Sequence, residues 1–68
     1  MSKTDDLIKS VLAKPKKPLS TYQIAKLAGI SWSTANMHCY KLKAEGIIDY
    51  KEEEGRTGAK KVIWWLKK

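Results

Sequence analysis

Residues Leu19 to Tyr50 read LSTYQIAKLAGISWSTANMHCYKLKAEGIIDY, and this stretch decides the fold. Ser20 is followed three residues later by Gln23. In that pairing each side chain satisfies a backbone N–H left open at a helix start. Leu19 and Ile24 stand at the positions of a hydrophobic staple. Ile24, Leu27 and Ala28 recur at helical spacing and predict the buried stripe of a helix over residues 20–28. Gly29 falls where a left-handed residue ends a helix. Ser31 opens the next helix, residues 31–45, after only Gly29 and Ile30. Its inward stripe is Ala35, Cys39 and Leu42, with Met37 or His38 at the margin. Trp32, Ser33, Asn36, Tyr40, Lys41 and Lys43 face outward, and Gly46 stops the helix.

Working outward, the N-terminal side predicts a first helix over residues 4–13. Ser2 or Thr4 is placed to cap it, and Asp5 and Asp6 suit the positive end of its dipole. Leu7, Ile8, Val11 and Leu12 make one apolar face, and the run Lys14 to Pro18 ends the helix, since proline breaks the hydrogen-bond ladder. On the C-terminal side the period changes. Ile47, Ile48 and Tyr50 suit a strand over residues 47–52. Lys51 to Lys60 is polar with two glycines and reads as a hairpin loop. Lys61 to Leu66 is β-branched and aromatic, which predicts a second strand over residues 60–66. Alternation puts Val62, Trp64 and Leu66 on one face and Ile63 and Trp65 on the other. An exposed apolar pair at Ile63 and Trp65 would suit a partner surface unless the first helix covers it.

Composition narrows the function. The chain has 68 residues, so one domain over residues 1–68 is expected. Its hydrophobic fraction of 43% supports a packed core rather than a disordered tail. The single cysteine, Cys39, excludes an internal disulfide, and with one histidine, His38, a zinc site lacks ligands. Neither a metal nor a cofactor is expected, and no apolar run is long enough to span a membrane. A cytoplasmic location is the default. The net charge of +7 points to a polyanion. The charge is uneven: residues 1–45 hold eight Lys against Asp5, Asp6 and Glu45, a balance of +5, whereas residues 46–68 carry only +2. Catalysis has no footing, because no nucleophile stands with a base and no glycine-rich phosphate loop sits between strand and helix.

Two short helices joined through a glycine turn make a helix-turn-helix. With a helix before them and a hairpin after, the chain resembles the winged helix-turn-helix family of DNA-binding domains, an α+β fold with three helices and a two-stranded antiparallel wing. The residues that carry the resemblance are Gly29, Ser31-Trp32-Ser33-Thr34, Lys41-Leu42 and Glu45-Gly46-Ile47-Ile48. Small bacterial, archaeal and viral regulators have this pattern. The resemblance implies a transcriptional regulator of double-stranded DNA, working as a homodimer through its first helix or the Ile63/Trp65 face. The chain ends two residues after the second wing strand, so no small-molecule effector is expected.

In such a fold the third helix meets base edges in the major groove. Asn36 is suited to the N6/N7 edge of adenine, Ser33 and Thr34 to bases or phosphate, and Trp32 and Met37 to thymine methyls. Thr21, Tyr22, Tyr40, Lys41 and Lys43 are the expected backbone contacts. Ser20, Thr21 and Tyr22 lie at a helix start that favours phosphate, although capping alone accounts for Ser20. Lys14, Lys16 and Lys17 either extend the phosphate track or solubilise a linker. At the wing, Arg56 and Thr57 stand at a tip suited to a minor groove, with Lys60 and Lys61 on the returning strand. Glu52, Glu53 and Glu54 oppose this, either repelling phosphate or pairing with Lys60 and Lys61 across the ladder. His38 suits a phosphate contact or a half-buried ring equally, and Cys39 reads as a small core residue.

Two other functions compete. A winged helix can serve as a protein-interaction module in a larger assembly, which the acidic wing favours. The Asn36-x-x-x-Tyr40 spacing with Trp64 is also similar to the Z-DNA-binding subfamily, though Trp32 replaces that family's lysine and the wing lacks its prolines.

Overall fold

The computed structural model describes residues 3–14, 17–55, 58 and 60–67. Three helices come first: α1 (Lys3–Ala13), α2 (Thr21–Ala28) and α3 (Trp32–Ala44). A two-residue strand, β1 (Leu19–Ser20), precedes α2, and the long strands β2 (Ile48–Glu54) and β3 (Lys60–Leu66) follow α3. The sheet is antiparallel with order β1-β3-β2, so β3 is central. The third strand β1 is an addition to the two-stranded wing the sequence implied. Two residues carry no readable period, and both also serve the start of α2.

The α2 cap forms as its residues dictate. Gln23 N donates to Ser20 Oγ at 3.2 Å, and Ser20 N donates to Gln23 Oε1 at 3.0 Å. At the other end Gly29 adopts φ 71°, and Ile30 N donates to Ala25 O at 3.0 Å. This left-handed closure turns the chain into α3 within two residues. Gly46, with φ 79°, repeats the device after α3: Ile47 N donates to Leu42 O at 3.0 Å, and the chain enters β2.

The core lies between the three helices and one face of the sheet. Ile8 and Leu12 of α1, Ile24 and Ala25 of α2, and Ala35, Cys39 and Leu42 of α3 close on Leu19, Ile48 and Trp64. Trp64 is fully buried. Burying a ring of that size contributes roughly 4–6 kcal/mol before the cost of ordering it. The inward stripe of α3 is the expected one, and Cys39 is a core residue whose thiol pKa burial pushes up to about 12.

Three expectations need correcting. The buried stripe of α2 is Thr21, Ile24 and Ala25 with Ala28 half-buried, while Leu27 is 64% exposed. Spacing i, i+3, i+4, i+7 from Thr21 fits one helical face, and Leu27 lies off it. Next, Ile63 is buried and Trp65 half-buried, so the pair is not an exposed apolar face. Finally, Lys51 to Glu54 is strand rather than loop: Glu52, Glu53 and Glu54 pair in register with Val62, Lys61 and Lys60. Ser2 lies outside the described residues, and Thr4 falls inside α1.

Candidate nucleic-acid interface

Ser31 caps α3, accepting from Thr34 N at 3.2 Å and donating its hydroxyl to Thr34 Oγ1 at 2.8 Å. Thr34 is therefore half-buried and engaged in the cap. The neighbouring positions stay open. Trp32 is 54% and Met37 63% exposed, Ser33 is exposed and Asn36 is half-exposed. Large apolar side chains in this density on one helix start are unusual for a merely solvated face.

Opposite them stands the start of α2, with Tyr22 exposed. The bend from β1 into α2 places Ser20 and Tyr22 beside α3, and antiparallel pairing of β1 with β3 brings the lysines at the start of β3 to the same place. The result is a groove of about 300 Å³ lined by Ser20, Tyr22, Trp32, Asn36, Lys60 and Lys61, among others. No carboxylate lines it among the described residues. Lys60 and Lys61 make no ion pair among the described residues, although Glu54 and Glu53 face them in register. Glu53 instead pairs with Lys51 at 3.7 Å, which corrects the expected cross-ladder pairing.

Other expected contacts are engaged elsewhere. Thr21 is buried, and its hydroxyl accepts from Trp64 Nε1 at 2.8 Å, so its side chain is a core group and not a phosphate ligand. Tyr40 stands edge-on to Trp64 at 5.1 Å and to Tyr50 at 5.6 Å, docking α3 against the sheet. Lys43 rests over the Tyr50 ring at 5.6 Å and stays exposed. Arg56 and Thr57 lie outside the described residues.

Lys41 is held by a residue read only as a dipole partner. Asp5 is almost fully buried; its Oδ2 accepts from Lys41 Nζ at 2.7 Å, and its Oδ1 lies 2.8 Å from His38 Nδ1. The Lys41 ammonium, then the His38 hydrogen bond, draw the Asp5 pKa down to about 2 against the opposing effect of burial. The same hydrogen bond raises the Lys41 pKa. The sequence did hold a signal for this cluster: Asp5, Ile8 and Leu12 share one helical stripe, and a carboxylate on a buried stripe needs cationic partners. Two of them stand three residues apart on α3.

No protein-family model and no curated protein matches the sequence. Solved structures do match its fold. A possible transcriptional regulator from Methanosarcina mazei superposes with TM-score 0.85 at 22% identity, over 100% of this chain and 57% of that one. Bacillus subtilis PadR, in complex with operator DNA, gives TM-score 0.86 at 23% identity, over 98% of this chain and 41% of that one. Bordetella bronchiseptica BpsR, whose DNA binding is regulated by 6-hydroxynicotinic acid, gives 0.82 at 16% identity, over 98% and 48%. The chain thus has the winged helix-turn-helix fold, and it spans about half the length of these neighbours. Chain length does not carry the expectation of no small-molecule effector, because BpsR joins a matching fold to regulation by one.

Proposed function

We propose that the protein binds double-stranded DNA with sequence preference and acts as a transcriptional regulator, α3 in the major groove and the wing beside the minor groove. The groove where Tyr22, Trp32, Asn36, Lys60 and Lys61 converge, with no carboxylate among the described residues, carries this reading. Asn36 bonds adenine through its amide, Ser33 bonds base edges or phosphate, and Trp32 and Met37 pack on thymine methyls, while Thr34 holds the α3 cap. Tyr22, Lys43, Lys60 and Lys61 supply hydrogen bonds and charge to phosphates, with Arg56 and Thr57 at the wing tip. The protein works in the cytoplasm as a homodimer. An open apolar groove of about 600 Å³ along α1 and α2, lined by Leu7, Val11 and Leu27, supports pairing through the first helix.

Selection of bound duplexes from a random pool, followed by sequencing, tests this. An enriched palindrome with half-sites about one helical turn apart is the expected result. Absence of enrichment, together with no binding at low salt, would sink the DNA reading and leave the protein-interaction module, which the exposed Glu52 and Glu54 favour. The left-handed duplex reading finds its edge-on Tyr40–Trp64 pair. Trp64 is fully buried with its Nε1 held by Thr21, however, so it has no edge left for a nucleotide. An uninverted circular dichroism spectrum of alternating GC duplex with added protein removes that alternative.

A further inference from the structure

A second open groove, about 650 Å³, runs along the flank of α2 away from α3. Lys17, Gln23, Lys26 and Lys61 line it together with the apolar Leu19 and Leu27, and Ser20, Tyr22 and Lys61 belong to both grooves. Tyr22 and Lys61 thus form a shared wall, and the two grooves make one continuous track from Asn36 to Lys26. Among the described residues no carboxylate lines either groove, and none of Lys17, Lys26, Lys60 or Lys61 is in an ion pair. Lys17 and Lys26 are exposed. Gln23 uses its Oε1 in the α2 cap, so its Nε2 amide is the donor it has for an anion. The acidic residues lie elsewhere: Asp5 and Asp6 on α1, Glu45 at the C-cap of α3, and Asp49 with Glu52 to Glu54 on β2.

We infer that this flank is a second binding site for a nucleic-acid backbone, taking phosphodiesters of the same duplex beyond the segment α3 reads, through Lys17, Gln23 and Lys26. The inference rests on the proposed DNA binding and extends its footprint. Lys17 and Lys26 are point charges without a planar fork, so they neutralise phosphate and carry no base preference. Continuity with the α3 groove and matching charge select the occupant: one polyanion follows both grooves, whereas a separate small anion needs no such track.

The test compares wild type with Lys17→Gln/Lys26→Gln on a random-sequence duplex of about two helical turns, measuring affinity across a salt series. Both side chains are exposed, so the fold is expected to survive, and thermal melting checks it. The log–log slope of affinity against salt should become shallower by about 1.8 in the double variant, from about 0.9 for each lost phosphate contact. A charge-matched control, Lys3→Gln/Lys67→Gln, removes two exposed lysines that line neither groove and should keep the wild-type slope. An unchanged slope in Lys17→Gln/Lys26→Gln overturns the flank site and leaves the DNA reading standing. An equal loss in the control also overturns it, since net charge alone then explains the effect. If wild type itself binds no duplex at low salt, the DNA reading falls and the flank site with it.

Discussion

At the scale of single residues, Asn36 on α3 and Asp5 on α1 stand in different surroundings and do different work. Asn36 lies half-exposed in the groove between α2, α3 and β3. Its amide offers a donor and an acceptor together, which matches adenine and no other base edge equally well. Asn36→Ala is expected to weaken the preferred duplex by about 1–3 kcal/mol and to relax preference at one position, as read by repeating the duplex selection. An unchanged consensus would show that α3 meets the duplex by another face. Asp5 acts from beneath, tying α1 to His38 and Lys41. Asp5→Ala leaves those two without their shared acceptor and should lower unfolding free energy by about 1.5–3 kcal/mol, seen as a lower urea midpoint at constant slope. The pH dependence follows from the pKa. Folding draws Asp5 from 3.8 to about 2, so the folded state favours the carboxylate. Its contribution is complete above about pH 4 and is lost as pH falls toward 2. The melting temperature of wild type should therefore fall more across that window than that of Asp5→Asn.

At the scale of elements, the turn between α2 and α3 is closed by backbone geometry alone. A Cβ at Gly29 would meet nothing within 4 Å, so the cost of a side chain there is that of a left-handed backbone. Gly29→Ala should destabilise by about 1–2 kcal/mol, and Gly29→Asn by less, in denaturant titration. This turn, both helix starts and the inward stripe of α3 were legible in the sequence, because caps and glycines act within four residues of themselves. Long-range pairings were not. β1 exists only because Leu19 and Ser20 find Trp64 and Ile63, more than forty residues away. Thr21 reads as a surface helix-start residue until Trp64 donates to it across a gap of 43 positions. The site was legible in the same measure: the exposed start of α3 was read from its period, but the wall made by Tyr22 and Lys61 needed β3 folded against β1. Trp64→Phe tests that long-range tie. It keeps an aromatic ring facing Tyr40 and Tyr50, but removes part of the indole's volume and leaves the Thr21 hydroxyl without its donor in the core. A loss of about 1–3 kcal/mol is expected, whereas a loss under the error of the titration would show the ring alone suffices.

At the scale of the whole molecule, charge is sorted by face. Within the net value of +7 lie a basic track, Lys17 and Lys26 beside and on α2 with Lys60 and Lys61 at the start of β3, and an acidic strand, Glu52 to Glu54, in the same wing. That strand makes the wing a distance gauge. A carboxylate about 10 Å from a phosphate is repelled by about 0.4 kcal/mol in water before screening. Three together amount to about 1 kcal/mol, roughly a fivefold change in affinity at low salt. The triple variant Glu52→Gln/Glu53→Gln/Glu54→Gln raises the net charge from +7 to +10 and leaves every groove-lining residue in place. If the wing lies beside the minor groove, the variant binds all duplexes about fivefold more tightly at low salt, and the gain fades toward physiological salt, where the Debye length is about 8 Å. Its preference among sequences stays unchanged, because no base-reading group is altered. If instead the wing points away from the duplex by more than a Debye length, affinity is unaltered at every salt above the lowest. Fluorescence anisotropy on one labelled duplex, with wild type and variant side by side, separates the two placements. In the first placement the carboxylates would hold down indiscriminate binding by a strongly basic chain and leave the choice of site to the α3 groove.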